Sequence, residues 1–233
     1  MKKVNLILVM CGIFFISPLK AFVGFGVYGD VDKFLYPETN DPSVSLVYNL
    51  QTESFNNAIG GGVFVYIDAL PFIDLEANIE LAGNDYVFST YIEEIQLYDE
   101  KVVWGRASGY LTARKSIKKT GIPFLAKIKL YAGGGLNSHI VTPMVTKDMI
   151  ESVFVDEGNP YEIDFSDEAK KERLIEYIKE NKIKTNGVHL QAGLQMKVLV
   201  LNLFVNARYT FAKKVIPNKN GFPSIWVGFA FGF

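Results

Sequence analysis

Large apolar residues occupy every second position at the carboxyl end of the chain, within residues 222–233. These residues are Ile225, Val227, Phe229, Phe231 and Phe233. The positions between them hold Trp226, Gly228, Ala230 and Gly232. An alternation of period two places successive side chains on opposite faces of a β-strand. The pattern therefore predicts a closing strand with one strongly apolar face, and that face requires a cover.

The same period of two recurs along the chain and predicts about eight strands, each roughly 9–15 residues long, the length needed to cross a bilayer at a tilt. The other predicted strands span 22–30, 58–68, 72–83, 102–115, 122–136, 185–197 and 201–211. Two further stretches, 44–50 and 86–92, are strand-like. An arrangement of about ten strands is therefore the structural alternative.

The predicted connections alternate between long and short. Long connections are expected at 31–57, 84–101, 137–184 and 213–222, and short turns near residues 70, 118 and 199. The longest connection contains an amphipathic pattern at 166–181, which predicts a helix with Ser166 or Asp167 as its N-cap. Residues 146–153 are a candidate for another helical turn. Alternating long and short connections are typical of an up-and-down β-barrel that spans a membrane.

The faces opposite the apolar ones carry charged residues. The predicted interior charge cluster consists of Glu76, Glu80, Arg106, Arg114, Lys127, Lys129 and Arg208. The interior of an eight-stranded barrel is just wide enough to be filled by its own side chains, and buried charges must be paired. These residues predict a salt-bridged plug, and a narrow path for water or a small solute is the alternative.

Residues 1–21 have the pattern of a secretory signal peptide: Lys2 and Lys3, an apolar core, and a small residue, Ala21, at the expected cleavage site. The expected mature domain is 22–233. Cleavage would remove the single cysteine and leave 21 basic and 25 acidic residues, a net charge of −4. The mature chain would have no disulfide framework and none of the basic excess of a nucleic-acid-binding protein.

Candidate chemistry is sparse. His139 and His189 are expected near the rim of two neighbouring strands, but two histidines without a further ligand in suitable spacing make a weak metal site. Ser138 precedes His139, yet no spacing ties the pair to a carboxylate, so no catalytic triad is predicted. The glycines at 24, 26 and 29 match a dinucleotide-binding spacing but lack the helix that it requires. We therefore expect no catalytic, metal or cofactor site.

One group of acidic residues falls in the longest connection: Asp156, Glu157, Asp164, Asp167 and Glu168. Their spacing does not match a calcium-binding loop. A solvated loop surface is the expected role.

A terminal apolar strand that ends in Phe, behind a secretory leader, resembles the closing strand of bacterial outer-membrane β-barrels. The resemblance extends over nearly the whole mature chain and is to the small barrels of the OmpA-like, OmpX-like and OmpW-like group. It implies a closed antiparallel up-and-down transmembrane barrel with periplasmic termini and extracellular long loops. It also implies outer-membrane lipid, periplasmic chaperones and the barrel assembly machinery as partners, with Ile225 to Phe233 as the assembly signal.

The resemblance transfers no binding site, so the expected function is general. We expect a structural or surface-interaction protein of the outer membrane, and no enzyme. A conduit for small solutes or hydrophobic compounds is one alternative. A soluble, lipocalin-like binding barrel is another, although such a barrel would be polar outside and apolar within.

Overall fold

The computed structural model describes residues 22–41, 49–68, 72–92, 95–122, 125–154 and 168–232. The predicted signal peptide and Phe233 lie outside the described residues. The elements along the chain are β1 (Phe22–Tyr36), β2 (Thr39–Asp41), β3 (Asn49–Thr52), β4 (Phe55–Asp68), β5 (Asp74–Ile92), β6 (Ile95–Ile122), β7 (Ala126–Val141), α1 (Lys147–Val153), α2 (Glu168–Asn181), β8 (Ile183–Val198), β9 (Leu201–Phe211) and β10 (Gly221–Gly232).

Eight of these strands form a closed antiparallel ring. Its order is β1, β4, β5, β6, β7, β8, β9 and β10, with β10 paired again to β1. The closing pairing runs from Gly24 opposite Gly232 to Asp32 opposite Ser224. The predicted closed up-and-down barrel of about eight strands is therefore confirmed, and the ten-stranded alternative is wrong.

The outward side of β6 shows how the barrel surface is divided. Its outward residues within 103–113 are apolar or glycine, and Lys101 and Lys115 flank them. A strand that crosses a bilayer at a tilt needs about 9–11 residues, which matches this stretch. We call the outward residues of the corresponding stretches the apolar belt. These stretches are 23–31, 59–67, 75–83, 103–113, 126–136, 188–198, 201–211 and 225–231.

Large side chains of the apolar belt project away from the protein. Val27 is 61% exposed and Phe229 is 66% exposed. On β1 the belt ends where Lys33 becomes the outward residue. On β5 and β6 it ends at the exposed ion pair between Asp85 and Lys101.

The interior of the ring is narrow, and two glycines show why small residues face inward. A Cβ on Gly24 would lie 2.3 Å from the ring of Tyr66, and a Cβ on Gly193 would lie 1.9 Å from the Oδ1 atom of Asn206. Both distances are far below van der Waals contact. Glycine at these positions leaves room for the large side chains of facing strands.

The strands extend well beyond the apolar belt at the end that carries the long connections. Residues 84–92 and 95–101 were expected to be largely loop, but they continue β5 and β6 as a long hairpin. We call residues 84–92 and 95–102 the projecting hairpin. Strand β3 pairs with its β5 side through Asn49 to Thr52, and β2 pairs with β3. Most of the predicted strand 44–50 lies outside the described residues.

Both helices lie in the connection between β7 and β8, as predicted. Helix α1 begins after Thr146, whose Oγ1 accepts a hydrogen bond from the Met149 backbone N–H. The N-cap expected for α2 at residues 166–167 lies outside the described residues, as do most of the acidic residues of this connection. Neither helix of the described chain combines the length and the apolar character that crossing a membrane requires.

The helices pack against the projecting hairpin. Leu174, Tyr177 and Ile178 of α2 contact a buried apolar cluster, as their predicted position on one face implies. The members of the cluster are Leu50, Phe88, Met149, Ile150, Val153 and Phe154. Burial of these side chains holds α1, α2, β3 and the hairpin together as one unit above the ring.

Candidate functional site: the barrel interior

The structure buries six of the seven side chains predicted to form the interior charge cluster. These are Glu76, Glu80, Arg106, Arg114, Lys129 and Arg208. Lys127 is exposed and lies at the mouth of the barrel formed by the short turns, where it lines a cavity. Lys127 lies apart from the other six charges because β7 reaches the barrel mouth at that residue.

The buried charges nearer the long connections form one group, which we call the upper ion cluster: Asp30, Asp32, Glu80, Arg106 and Arg208. The Arg106 guanidinium donates to Asp32 and, at 2.7 Å, to the Oε1 atom of Glu80. Arg208 lies 3.4 Å from the other oxygen of Glu80, which also accepts a hydrogen bond from the Tyr28 hydroxyl at 3.0 Å. Glu80 is thus shared by both guanidinium groups.

The charges nearer the short turns form a second group, the lower ion cluster: Asp68, Asp74, Glu76, Arg114 and Lys129. Arg114 bonds Glu76 at 2.9 Å and Asp68 at 3.0 Å. The Lys129 ammonium lies 3.1 Å from Asp68 and 2.5 Å from Asp74. Each basic group therefore contacts two carboxylates, as expected where charges are removed from water.

Gln191 links the two ion clusters. Its side-chain amide donates to the Oε1 atom of Glu76 at 3.2 Å, and its carbonyl accepts from Arg208 Nε at 3.4 Å. Hydrogen bonds and ion pairs therefore run without a break from Asp32 through Arg106, Glu80, Arg208, Gln191, Glu76, Arg114 and Asp68 to Lys129 and Asp74.

Aromatic rings pack beside the ion clusters. The Arg208 guanidinium carbon lies 3.8 Å from the centroid of the Tyr110 ring, and that of Arg114 lies 4.7 Å from the Tyr131 ring. Such cation–π contacts stabilise a cation most where water is excluded. A layer of buried rings lies next to Arg114 and Tyr28: Phe64, Tyr66, Tyr131, Phe204 and Trp226.

An aromatic cap lies above the upper ion cluster, at the end with the long connections. Its buried members are Phe34, Tyr36, Phe55, Ala58, Ala82, Tyr86, Trp104, Val141, Ala212, Val215, Ile216 and Phe222. Trp104 contacts Phe34 with ring centroids 5.5 Å apart, and Phe222 lies 5.0 Å from the Arg106 guanidinium carbon. Burial raises the pKa of Tyr86, above the apolar belt, to about 12.

The two histidines lie inside the barrel, so the expectation that they sit at the rim is wrong. Nδ1 of His139 is 2.8 Å from the Ser108 hydroxyl, and Nε2 of His189 is 2.8 Å from Thr112. Both rings flank Tyr110, at 5.6 and 5.2 Å between centroids. They face inward because they occupy the same face of β7 and β8 as the buried polar residues.

Asp30 is the least satisfied member of the upper ion cluster. Its side chain is almost fully buried, at 3% exposure, and neither carboxylate oxygen has a hydrogen-bond partner among the described residues. Asp30, Asp32 and Glu80 each place one oxygen within 4.8 Å of the others. This is the spacing of a cation site, but the Arg106 and Arg208 guanidinium groups already lie against Glu80. Three carboxylates thus face two guanidinium groups.

Substitution Asp30→Asn is expected to raise the free energy of unfolding by about 1–2 kcal/mol, because it removes a buried charge that lacks a partner. Urea unfolding of the barrel in lipid vesicles would measure the change. Asp32→Asn is the matched control and should lower stability, since Asp32 accepts from Arg106. A loss of more than about 1 kcal/mol for Asp30→Asn would contradict an unpaired carboxylate at this position.

Four acidic residues of these clusters are not among the seven predicted interior charges: Asp30, Asp32, Asp68 and Asp74. Asp30 and Asp32 continue the even-numbered inward positions of β1, which also include Gly24 and Tyr28. That parity was the available signal: Asp30 is the last residue of the predicted strand, and Asp32 lies beyond it. The described residues of the proposed assembly signal, Ile225, Val227, Phe229 and Phe231, all face outward.

No protein-family model and no curated protein matches the sequence. Three proteins are among those whose solved structures resemble the chain at low identity. OprG, an outer membrane protein from Pseudomonas aeruginosa, has a TM-score of 0.48 at 11% identity, over 91% of this chain and 95% of that one. The N-terminal β-barrel domain of P. aeruginosa OprF has a TM-score of 0.44 at 11% identity, over 91% and 97%. Ail, the attachment invasion locus protein of Yersinia pestis, has a TM-score of 0.42 at 7% identity, over 91% and 99%.

Proposed function

We propose that this protein is an integral outer-membrane β-barrel whose interior is closed and whose long-connection end serves as a surface for interaction. The observation that carries the proposal is the inversion of polarity across the barrel wall. Val27 and Phe229 face outward, while Glu80 and Arg114 are buried within the ring. A barrel that is dissolved in water would have the opposite arrangement, with an apolar interior.

The dimensions of the apolar belt support the proposal that it contacts the hydrocarbon core of a membrane. Its outward stretches measure about 9–11 residues on most strands, as expected for tilted crossings of a bilayer. Polar residues flank the belt at Lys33, Lys101 and Lys115. A contiguous apolar surface of this extent on a monomer marks a membrane or an interaction site.

The interior supports a closed barrel. The hydrogen-bonded path from Asp32 to Asp74 crosses the lumen, and the aromatic cap lies above it. Side chains that fill an eight-stranded barrel leave little room for a solute. A structural or surface-interaction role therefore fits the geometry better than a conduit does.

The projecting hairpin and the two helices are the elements available for a surface role. They extend beyond the apolar belt as one packed unit. Long connections lie outside the cell in outer-membrane barrels, and short turns lie in the periplasm. On this arrangement the hairpin, α1 and α2 face the exterior, and both ends of the barrel chain lie in the periplasm.

The proposal predicts that the purified protein, inserted in a planar lipid bilayer, gives no steady ionic openings. Single-channel recording at both polarities would measure this, with an unfolded sample added as the control for leakage. Steady openings whose ion selectivity changes in the Arg208→Gln variant would place a path through the lumen. That result would overturn the closed barrel in favour of a small-solute conduit.

A further inference from the structure

The mouth of the barrel at the short turns holds an unusual set of lysines. On neighbouring strands, Lys119 pairs directly with Lys129, and Lys127 pairs directly with Lys197. Like charges at directly opposed positions of an antiparallel pair destabilise a sheet. Two such pairs side by side therefore require compensation by negative charge.

Among the described residues, the acidic side chains near this mouth are fewer than the basic ones. Asp68 and Asp74 bind Lys129, and Asp68 and Glu76 also bind Arg114. Within the described part of the chain, five basic side chains at this mouth thus face three acidic ones, a net charge of +2. The five are Lys119, Lys127, Lys129, Lys197 and Arg114. The excess positive charge lies with Lys119 and Lys127, which are both exposed.

A cavity of about 550 Å³ opens beside these lysines. Lys119, Lys127 and Lys197 line it, together with the apolar residues Ile122, Leu125 and Leu199. A second cavity of about 180 Å³ shares these three lysines and is also lined by Asp68, Asp74, Lys129 and Gln195. The site therefore combines a cationic wall with an apolar one.

The cavity also lies at the edge of the apolar belt. Lys115 is the first charged outward residue after the belt on β6, and Ile122 and Leu125, at 63% and 53% exposure, follow it at the tip of the β6–β7 turn. The phosphate group of a lipid bound there would be at the level of the other lipid headgroups, and the acyl chains of that lipid would lie beside the barrel wall.

We propose that this mouth is a binding site for a phosphate-bearing amphiphile, with the phosphate on Lys119, Lys127 and Lys197 and the apolar part against Ile122, Leu125 and Leu199. In a membrane the ligand is an anionic phospholipid. The source of this lipid rests on the proposed function, because only a membrane-inserted barrel meets phospholipid. Recognition of the lipid phosphate by the lysines depends only on the described cavity. A lysine ammonium group acts as a compact positive charge and binds phosphate by electrostatic attraction and hydrogen bonds.

Titration of the folded barrel in nonionic detergent would test the site with three probes. These are dihexanoyl phosphatidylglycerol, dihexanoyl phosphatidylcholine and inorganic phosphate. We expect the phosphatidylglycerol to bind about tenfold or more tightly than either of the others, since it alone offers both a net negative phosphate and acyl chains. The Lys127→Gln/Lys197→Gln variant should lose about tenfold or more of this affinity.

The matched control is Lys115→Gln/Lys118→Gln, which removes two exposed lysines at the same end of the barrel that do not line the cavities. It should change the affinity by less than about threefold. An equal loss in both variants would overturn the site, because it would reflect general surface charge. Equal binding of inorganic phosphate would overturn the amphiphile, and equal binding of phosphatidylcholine would overturn anion recognition.

Circular dichroism and insertion into vesicles, measured on the same samples, separate this proposal from the proposed function. A folded, inserted barrel that binds none of the three probes refutes only the lipid site. A protein that remains dissolved without detergent refutes the membrane barrel itself, whatever it binds.

Discussion

Replacement of Arg106 by Met is expected to lower the free energy of unfolding by about 3–5 kcal/mol, the usual effect of removing one partner from a buried ion pair. Arg106 bonds both Asp32 and Glu80. Without it, those two carboxylates and Asp30 would share only the Arg208 guanidinium. Met has a similar volume, so the loss would reflect uncompensated charge rather than a cavity.

Urea unfolding in lipid vesicles, followed by tryptophan fluorescence, would measure this change. Both tryptophans, Trp104 and Trp226, are buried and report on the interior. Arg173→Met on the exposed surface of α2 is the control and should stay within about 0.5 kcal/mol of the parent. The Arg106→Met/Glu80→Gln double variant should lose less than the sum of the single losses, because the partners act together. A loss below about 1 kcal/mol for Arg106→Met would mean that water solvates the carboxylates.

The apolar alternation predicted the barrel but underestimated the length of its strands. Strand β1 was expected to end at residue 30, yet it continues to Tyr36. The outward residue changes from Val31 to Lys33, whereas the inward alternation continues through Asp32 and Phe34. The apolar residues on the outward face show only how much of a strand borders an apolar environment. Pairing between strands continues beyond that length.

The projecting hairpin was predicted only in part, as the strand-like stretch 86–92, for the same reason. Past Asp85 and Lys101 its outward residues are mixed, with Val87 on β5 and Asp99 on β6, so the apolar alternation ends there. Its pairing is fixed instead by cross-strand hydrogen bonds and by contacts with α1 and α2. Such tertiary contacts cannot be obtained from the local pattern of one segment.

The sequence indicated some of the charges that face inward but not which of them meet. Parity along a strand identified Glu80 and Arg106, because it depends only on the period of two. Their ion pair with Asp32 depends on the stagger between strands, and this stagger is a property of the closed ring. The same stagger leaves Lys127 at the mouth and brings His139 and His189 beside Tyr110.

If the apolar belt lies in a bilayer, the loss of stability caused by a charge on the outer surface should depend strongly on its depth in that bilayer. Val27→Arg should lower the free energy of unfolding in lipid vesicles by about 2–4 kcal/mol, the cost of arginine near the midplane of the bilayer. Val27 lies at the centre of the belt on β1 and is 61% exposed. Its partners across the sheet, Phe229 and Val63, also face outward.

Val31→Arg is the matched control, because Val31 lies on the same face of the same strand, next to Lys33 at the edge of the belt. There the cost should fall to about 0–1 kcal/mol, since an arginine near the interface reaches the headgroups. Both variants should keep the circular dichroism spectrum of the parent, because neither side chain points into the barrel. Urea titration in vesicles of one lipid composition would measure the two values together.

The difference between these two positions discriminates between lipid and water as the cover of the barrel. In water, each substitution would place a soluble charge on an exposed site, and both changes would stay within about 0.5 kcal/mol. Equal, small effects at Val27 and Val31 would therefore contradict the membrane assignment. A large loss at Val27 that is absent at Val31 would support an apolar layer whose edge lies between these two outward positions of β1.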